Sequence, residues 1–127
     1  EPIRGDIHAC TDITGFGLLG HLGEMLLNSP ELTVQLDGSA IPAYPCSLEL
    51  IERGTYSTLA PSNRDAWRLL EGSVQLKEPP SSALLELLVD PQTCGPLLLA
   101  CTIEAAEKLT ERGPWVQIGS AAAAAAR

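Results

Sequence analysis

Aromatic side chains make up only 4% of the 127 residues, so the core must be built from Leu, Ile, Val and Ala. Basic residues are also few: 8 Lys and Arg stand against 16 Asp and Glu, a formal net charge of −8. A surface of that sign repels nucleic acid and anionic lipid unless its cations cluster, and the sequence has no such cluster. Neither nucleic acid nor a membrane is therefore an expected partner. No apolar run reaches the roughly 18 residues of a membrane span, and the first residues do not read as a secretory signal. A cytoplasmic location is the expectation. Four cysteines, Cys10, Cys46, Cys94 and Cys101, include no C-x-x-C pair and are expected as reduced thiols. The P-loop glycine-lysine motif is missing as well. Phosphoryl transfer needs a basic group near the phosphates, so the chain by itself does not read as a complete kinase.

What remains is a globular composition, 45% hydrophobic and 19% charged, in a length that fits one domain with its own core. Apolar residues at 16, 18, 19, 22, 25, 26 and 27 follow helical spacing and predict a helix from Phe16 to Leu27. "LTVQLDG" alternates from Leu32 to Leu36 and ends at Asp37-Gly38, a strand running into a turn. The prolines of "SAIPAYPC" exclude helix there. "SLELIER" predicts a short helix closed by Gly54, and "SNRDAWRLLEG" another, with Ser62 or Asn63 as cap and Gly72 as stop. "SVQL" reads as a short strand, and Ala83 to Leu88 as a helix broken before Pro91. The apolar run "LLLACT" predicts a buried strand, and "TIEAAEKLTERG" an amphipathic helix capped by Thr102 and ended by Gly113. "WVQI" predicts a closing strand, so that the last three elements form a βαβ unit. Residues 120–127, the Ala-rich "SAAAAAAR", read as a tail outside a folded domain of residues 1–119. Helices beside a small mixed sheet make the expected class α+β.

Chemistry-bearing residues concentrate in two stretches. In "CTDITGFGLLGHLGEML", residues 10–26, Asp12 precedes a glycine-bearing turn that opens into a helix. Backbone N–H groups at such a turn favour an anion, which a carboxylate would repel. Two readings resolve the conflict: Asp12 caps the helix, or it holds a divalent cation that lets phosphate approach. The residues alone leave both open. In "VDPQTCGPL", residues 89–97, an acid, an amide and a hydroxyl share a Pro- and Gly-bearing loop between a helix and a buried strand. His8 and Cys10 form an H-x-C that could offer two ligands to zinc, but no partner pair accompanies it. Cys94 has no His or Lys near it in sequence to lower its pKa and reads as an inert thiol.

"ACTDITGFGLLGHLGEM" and "DPQTCGPLLLA" together resemble two segments of the selenophosphate synthetases, or selenide, water dikinases, and "GTYSTLAPSNR" resembles that family's loop ending in Pro-x-Asn. The resemblance runs from about His8 to Gly119 and is to the C-terminal half of such an enzyme, within the superfamily of aminoimidazole ribonucleotide synthetase. It implies an α+β three-layer sandwich, partly ferredoxin-like, with a small mixed sheet and flanking helices. It further implies an enzyme that converts ATP, selenide and water to selenophosphate, AMP and phosphate with Mg²⁺, this chain supplying one wall of the Mg-ATP site.

Carried over by motif, Asp12 becomes a metal ligand, and Thr11, Thr14, Gly15 and Gly17 line the nucleotide turn. The catalytic residues belong to an N-terminal ATP-binding domain, so none is expected in this chain, which is inactive alone. The whole protein is expected as a homodimer. Two departures stand in the second motif: Cys94 replaces Ser, and Pro96 replaces Gly. If position 96 requires a positive φ, proline cannot supply it. Those changes motivate an alternative, a noncatalytic binding or oligomerisation module with the same fold; a sibling ATP-dependent kinase for another small substrate is the other.

Overall fold

A computed structural model of the chain describes residues 4–69 and 71–124. After a short 3-10 turn, strand β1 (Ile7–Asp12) leads through a tight turn into helix α1 (Gly17–Leu26). Strand β2 (Leu32–Leu36) follows, then the short helix α2 (Ser47–Glu52) and helix α3 (Ala60–Arg68). Strand β3 (Val74–Leu76), helix α4 (Ser82–Val89), strand β4 (Leu97–Cys101), helix α5 (Ile103–Arg112) and strand β5 (Gly119–Ala123) complete the order. The class is α+β, as expected.

The strands divide into two sheets. β1 and β4 pair antiparallel, with Cys10 opposite Leu99 and Asp12 opposite Leu97. β2 is the centre of a mixed sheet, parallel to β3 through Val34–Val74 and Leu36–Leu76, and antiparallel to β5 through Leu32–Ala123 and Leu36–Gly119. Strand β1 was not among the expected elements, although "IHACTD" alternates in the manner of a strand. The βαβ reading of the last elements does not hold, because β4 and β5 lie in different sheets.

The closing strand is also displaced. Residues 115–118 are not paired as a strand; Asp37 donates its N–H to the Ile118 carbonyl at 2.8 Å, and the ladder begins at Gly119. The alanines expected as a tail therefore form the edge of the sheet as far as Ala123, while residues 125–127 lie outside the described residues. Pairing consumes backbone N–H and C=O groups. Small side chains at an edge satisfy it as well as an alternating pattern does, so composition alone could not place this strand.

Helix starts show the same priority of context. Thr102 caps α5 by accepting from the Ala105 N–H, as expected, and Ser81 caps α4 by accepting from the Leu84 N–H. α3 instead begins at Ala60 with Pro61 in its first turn, a position that needs no N–H. Neither Ser62 nor Asn63 caps it, which leaves the Asn63 amide for another task. Arg64 of α3 and Glu86 of α4 form an ion pair that ties the two helices.

The core gathers Leu18, Leu19, Leu22 and Leu26 of α1 with Val34 and Leu36 of β2, Val74 of β3, Trp67 of α3, Leu88 and Val89 of α4, and Ile13. One cluster thus joins the mixed sheet to α1, α3 and α4, and Ile13 binds the end of β1 to it; it is aliphatic except for Trp67, which the expectation of a core of Leu, Ile, Val and Ala left out. Leu19 is fully buried whereas Leu27 is 65% exposed. Leu19→Ala is expected to lower unfolding free energy by about 2–5 kcal/mol, and Leu27→Ala by no more than about 0.5 kcal/mol, in urea titrations followed by tryptophan fluorescence. Equal midpoints for the two variants would contradict this core.

Candidate functional site

The two chemistry-bearing stretches, far apart in sequence, meet in the fold. β1 ends at Asp12, and the next residue donates its backbone N–H across to the second stretch, Ile13 to the Pro96 carbonyl at 2.9 Å. Thr14 carbonyl accepts from Gln92 N–H at 2.9 Å and from Gly17 N–H at 3.1 Å. Asn63 then bridges the two from α3: its Nδ2 donates to the Gly15 carbonyl at 2.8 Å and to the Val89 carbonyl at 2.9 Å. A primary amide has two donor hydrogens in one plane, so one side chain satisfies a carbonyl on each stretch. The loop resembling Pro-x-Asn thereby joins the other two motifs at one place.

Two glycines make the close approach feasible. Gly17 sits at φ +70°, where a Cβ would lie 2.7 Å from the Val89 carbonyl carbon, so only glycine turns the chain into α1 there. A Cβ at Gly95 would run into the Ile13 carbonyl oxygen. Pro96 does not open the loop. Among the described residues positive φ occurs at Cys46, Gly17 and Gly54, not at position 96. Proline there lacks an N–H, but the contact requires only its carbonyl.

The side chains around this turn are distinct in exposure and partners. Asp12 is exposed at the end of β1. It does not cap α1: the N-cap is Phe16, and no side chain bonds the first turn. The capping alternative for Asp12 is thus overturned, because three residues separate it from the cap and β1 holds it in pairing with Leu97. Thr11 is half-buried, its hydroxyl donating to the Asp12 carbonyl at 3.3 Å, and Gly15 is exposed. Gly17 is buried against Val89 and shapes the turn. Thr14 Oγ1 lies 3.1 Å from His21 Nε2, and His21 Nδ1 lies 2.9 Å from Glu24 Oε2. His21 is buried, with the Phe16 ring 5.5 Å away centre to centre. Sequence reading passed over Asn63 as a bridge and the His21–Glu24 pair. The i, i+3 spacing of the latter was visible; the former depends on the meeting of three distant segments.

In the second stretch, Gln92 Nε2 donates to Asp90 Oδ2 at 2.9 Å. Burial pushes the Asp90 carboxyl above its ordinary value, the Gln92 hydrogen bond opposes this, and the nearby Glu86 charge adds to the rise. All four cysteines are free, and Cys94 is exposed. His8 and Cys10 project from β1, but no cluster of three or more His, Cys, Asp or Glu able to hold a metal occurs among the described residues. The zinc reading of H-x-C gains no partner. A single exposed carboxylate beside hydroxyl and carbonyl oxygens fits Mg²⁺, which keeps several waters and takes one or two carboxylates together with substrate phosphates.

A family model described as "AIR synthase related protein, C-terminal domain" matches residues 1–125. Among curated relatives, a selenide, water dikinase of Pelobacter propionicus is 41% identical over 109 residues, covering 84% of this chain and 30% of the relative. One of Caldanaerobacter subterraneus subsp. tengcongensis is 39% identical over 84% of this chain and 29% of the relative. One of Pseudomonas straminea is 38% identical over 76% of this chain and 26% of the relative. The chain thus spans less than a third of the length of these relatives.

Asn63→Ala removes both bridging hydrogen bonds, and the buried Val89 carbonyl left dry costs about 1–3 kcal/mol. Asn63→Ala is expected to lower the urea midpoint and to speed amide exchange at Gln92 and Gly17 first, since those donors hold the same turn; unchanged exchange there would refute the bridge. For Asp90, a folded pKa above the unfolded one favours the protonated native state. Its contribution to stability is fully present below the unfolded value and is lost as pH rises through the folded value. Asp90→Asn is therefore expected to raise Tm at neutral pH, with the gain vanishing on acidification below the ordinary carboxylate range. Equal gains at both pH values would refute the shift.

Proposed function

This chain belongs to the family of AIR synthase related proteins, as their C-terminal domain, and on that premise we propose that it is part of a selenide, water dikinase and forms one wall of its Mg-ATP site. The observation that carries the reading is the convergence at Asn63 of the three segments that resemble that enzyme: the Asp12 turn, the segment that ends in the first turns of α3, and the Asp90–Pro96 loop, held at its start through Val89. Three segments far apart in a chain have no local reason to meet.

The chemistry follows from charge. A chain of net charge −8 offers phosphate no cationic cradle. A divalent cation supplies that charge when bound, offsetting the repulsion between carboxylate and phosphate oxygens. Asp12 would hold it, being exposed at a strand end that pairing and the Ile13–Pro96 bond keep rigid. The carbonyl and hydroxyl groups of Thr11, Thr14 and Gly15 line the same turn, and Gly17 sets its shape. Water and a donor-rich loop complete what one carboxylate begins.

The catalytic nucleophile and the cationic phosphate ligand belong, in this reading, to an N-terminal ATP-binding domain, so residues 1–127 contribute binding and no nucleophile. ATP and selenide are the substrates, the whole protein is a cytoplasmic homodimer, and neither nucleic acid nor membrane takes part. The Pro96 departure, which motivated a noncatalytic module, leaves the loop closed onto the Asp12 turn and so does not favour that alternative.

The test is the full-length protein containing this chain, given ATP, Mg²⁺ and selenide, with AMP and selenophosphate followed by phosphorus NMR. Wild type is expected to form both, and Asp12→Asn to be slower by about 10²-fold or more, the scale of losing one preorganised electrostatic contact. Product at the normal rate from Asp12→Asn would remove Asp12 from the metal site. No product from the wild type would remove the dikinase reading itself.

A further inference from the structure

The mixed sheet has two edges, and they are finished differently. Strand β3, at one edge, is three residues long and runs into Lys77, Glu78, Pro79 and Pro80, charges and prolines that stop a further strand from pairing there. Strand β5, at the other edge, has no charge, no proline and no break in register from Gly119 to Ala123, and Ser120 to Ala123 are exposed. The ladder fixes which of its backbone groups point outward. Asp37 donates its N–H to the Ile118 carbonyl at 2.8 Å, and Ala124 donates to the Glu31 carbonyl at 2.6 Å. Antiparallel pairs alternate between hydrogen-bonded and non-hydrogen-bonded, so Ser120 and Ala122 bond to β2, while Gly119, Ala121 and Ala123 turn their N–H and C=O groups away from it. Leu36, opposite Gly119, agrees: its carbonyl accepts from Lys77, on the β3 side, at 2.8 Å. Among the described residues these outward groups meet no strand, and their one side-chain contact is Gln117 Nε2, 3.4 Å from the Gly119 carbonyl.

We propose that the outer edge of β5 pairs with β5 of a second copy of this chain, antiparallel about a two-fold axis at Ala121, so that one sheet runs through both copies. The outward residues are symmetric about that position. Ala121 meets its own counterpart and Gly119 meets Ala123, so every outward residue exchanges both of its bonds in one register. A slip of one residue sets outward groups against groups already bonded to β2, and a longer slip leaves outward groups without a partner. Charge selects a second copy as the occupant. A chain of net charge −8 brings acid against acid on most faces when two copies meet. Residues 113–126 hold no charged side chain, and the strand itself is Gly, Ser and Ala, so here two copies approach backbone to backbone with no like charges opposite one another. The small side chains do not attract the partner; the unpaired N–H and C=O groups do. The pairing needs neither metal nor nucleotide and stands apart from the Mg-ATP reading.

The experiment is residue-resolved amide hydrogen exchange on the full-length protein containing this chain, at low and high protein concentration, with its mass followed by sedimentation equilibrium. Ser120 and Ala122, which donate to β2, are expected to exchange slowly at every concentration. Gly119, Ala121 and Ala123 are expected to slow about tenfold or more between micromolar and near-millimolar protein, as mass action requires of a pairing between copies, while the average mass rises. Ala121→Pro removes an outward donor and leaves the bonds to β2 in place, a position where an edge strand accepts proline. Ala121→Lys keeps that donor but sets two like charges face to face across the axis. Both are expected to abolish the concentration dependence at the outward amides and leave Ser120 and Ala122 slow; if the proline variant fails to fold, the lysine variant decides. Outward amides that are slow at every concentration would mean that another segment of the same polypeptide covers the edge, and would overturn the proposal. Fast exchange there at every concentration, or a concentration dependence that survives Ala121→Lys, would overturn it as well.

Discussion

The amide of Asn63 is the contact on which the arrangement of this molecule turns. It reaches from α3 to carbonyls on two segments, Gly15 and Val89, that share no other side-chain hydrogen bond among the described residues. Without it, the end of α4 would present the Val89 carbonyl, which burial makes expensive to leave dry, and the exposed turn after β1 would lose its tie to α3. With it, the turn is held at the height of the loop from Asp90 to Pro96, and the backbone bonds from Ile13 and Gln92 follow at short range. The glycines at 17 and 95 are the steric condition for that approach, since each meets the opposite segment's backbone where a Cβ would stand.

The same arrangement bears on the proposal that an acidic chain takes part in phosphate chemistry. Polar groups of the turn are spent on one another in an orderly way: Thr14 carbonyl on two N–H groups, Thr14 hydroxyl on His21, Thr11 hydroxyl on the Asp12 carbonyl. The Asp12 side chain is what remains exposed. That carboxylate stands at the end of a strand paired with β4, one residue before the Ile13–Pro96 bond. In the proposed function it is the group that would take a cation, and through the cation phosphate.

The site also shows why the motif of a relative can tolerate change. Cys94 is exposed and makes no hydrogen bond among the described residues, so its replacement of Ser alters a surface group. Pro96 contributes a carbonyl, which every residue has, and its φ does not require glycine. Gly95, between them, is the position that admits no side chain.

Periodicity was enough to locate α1, β2, α4 and α5, because each has an apolar face at the spacing of its own backbone, and enough for the caps at Thr102, whose hydroxyl acts within three residues. The acid-and-glycine pattern around Asp12 likewise marked the turn that meets the Asp90–Pro96 loop, and its likeness to one family agrees with the relatives the chain matches. Pattern failed where the partner lies far away in the chain. β5 forms from alanines because β2 had an open edge, not because its side chains ask for a strand; α3 starts early because Pro61 suits a first turn, and this frees Asn63. Sequence by itself thus determined the class of the fold, the mainly aliphatic make-up of the core and the candidate acid, all of which rest on local spacing and burial preference. Only the tertiary structure decided which sheet each strand joins, that Asp12 is no cap, and that Asn63 draws three segments together, because backbone pairing and side-chain bridges depend on which groups arrive beside one another in space.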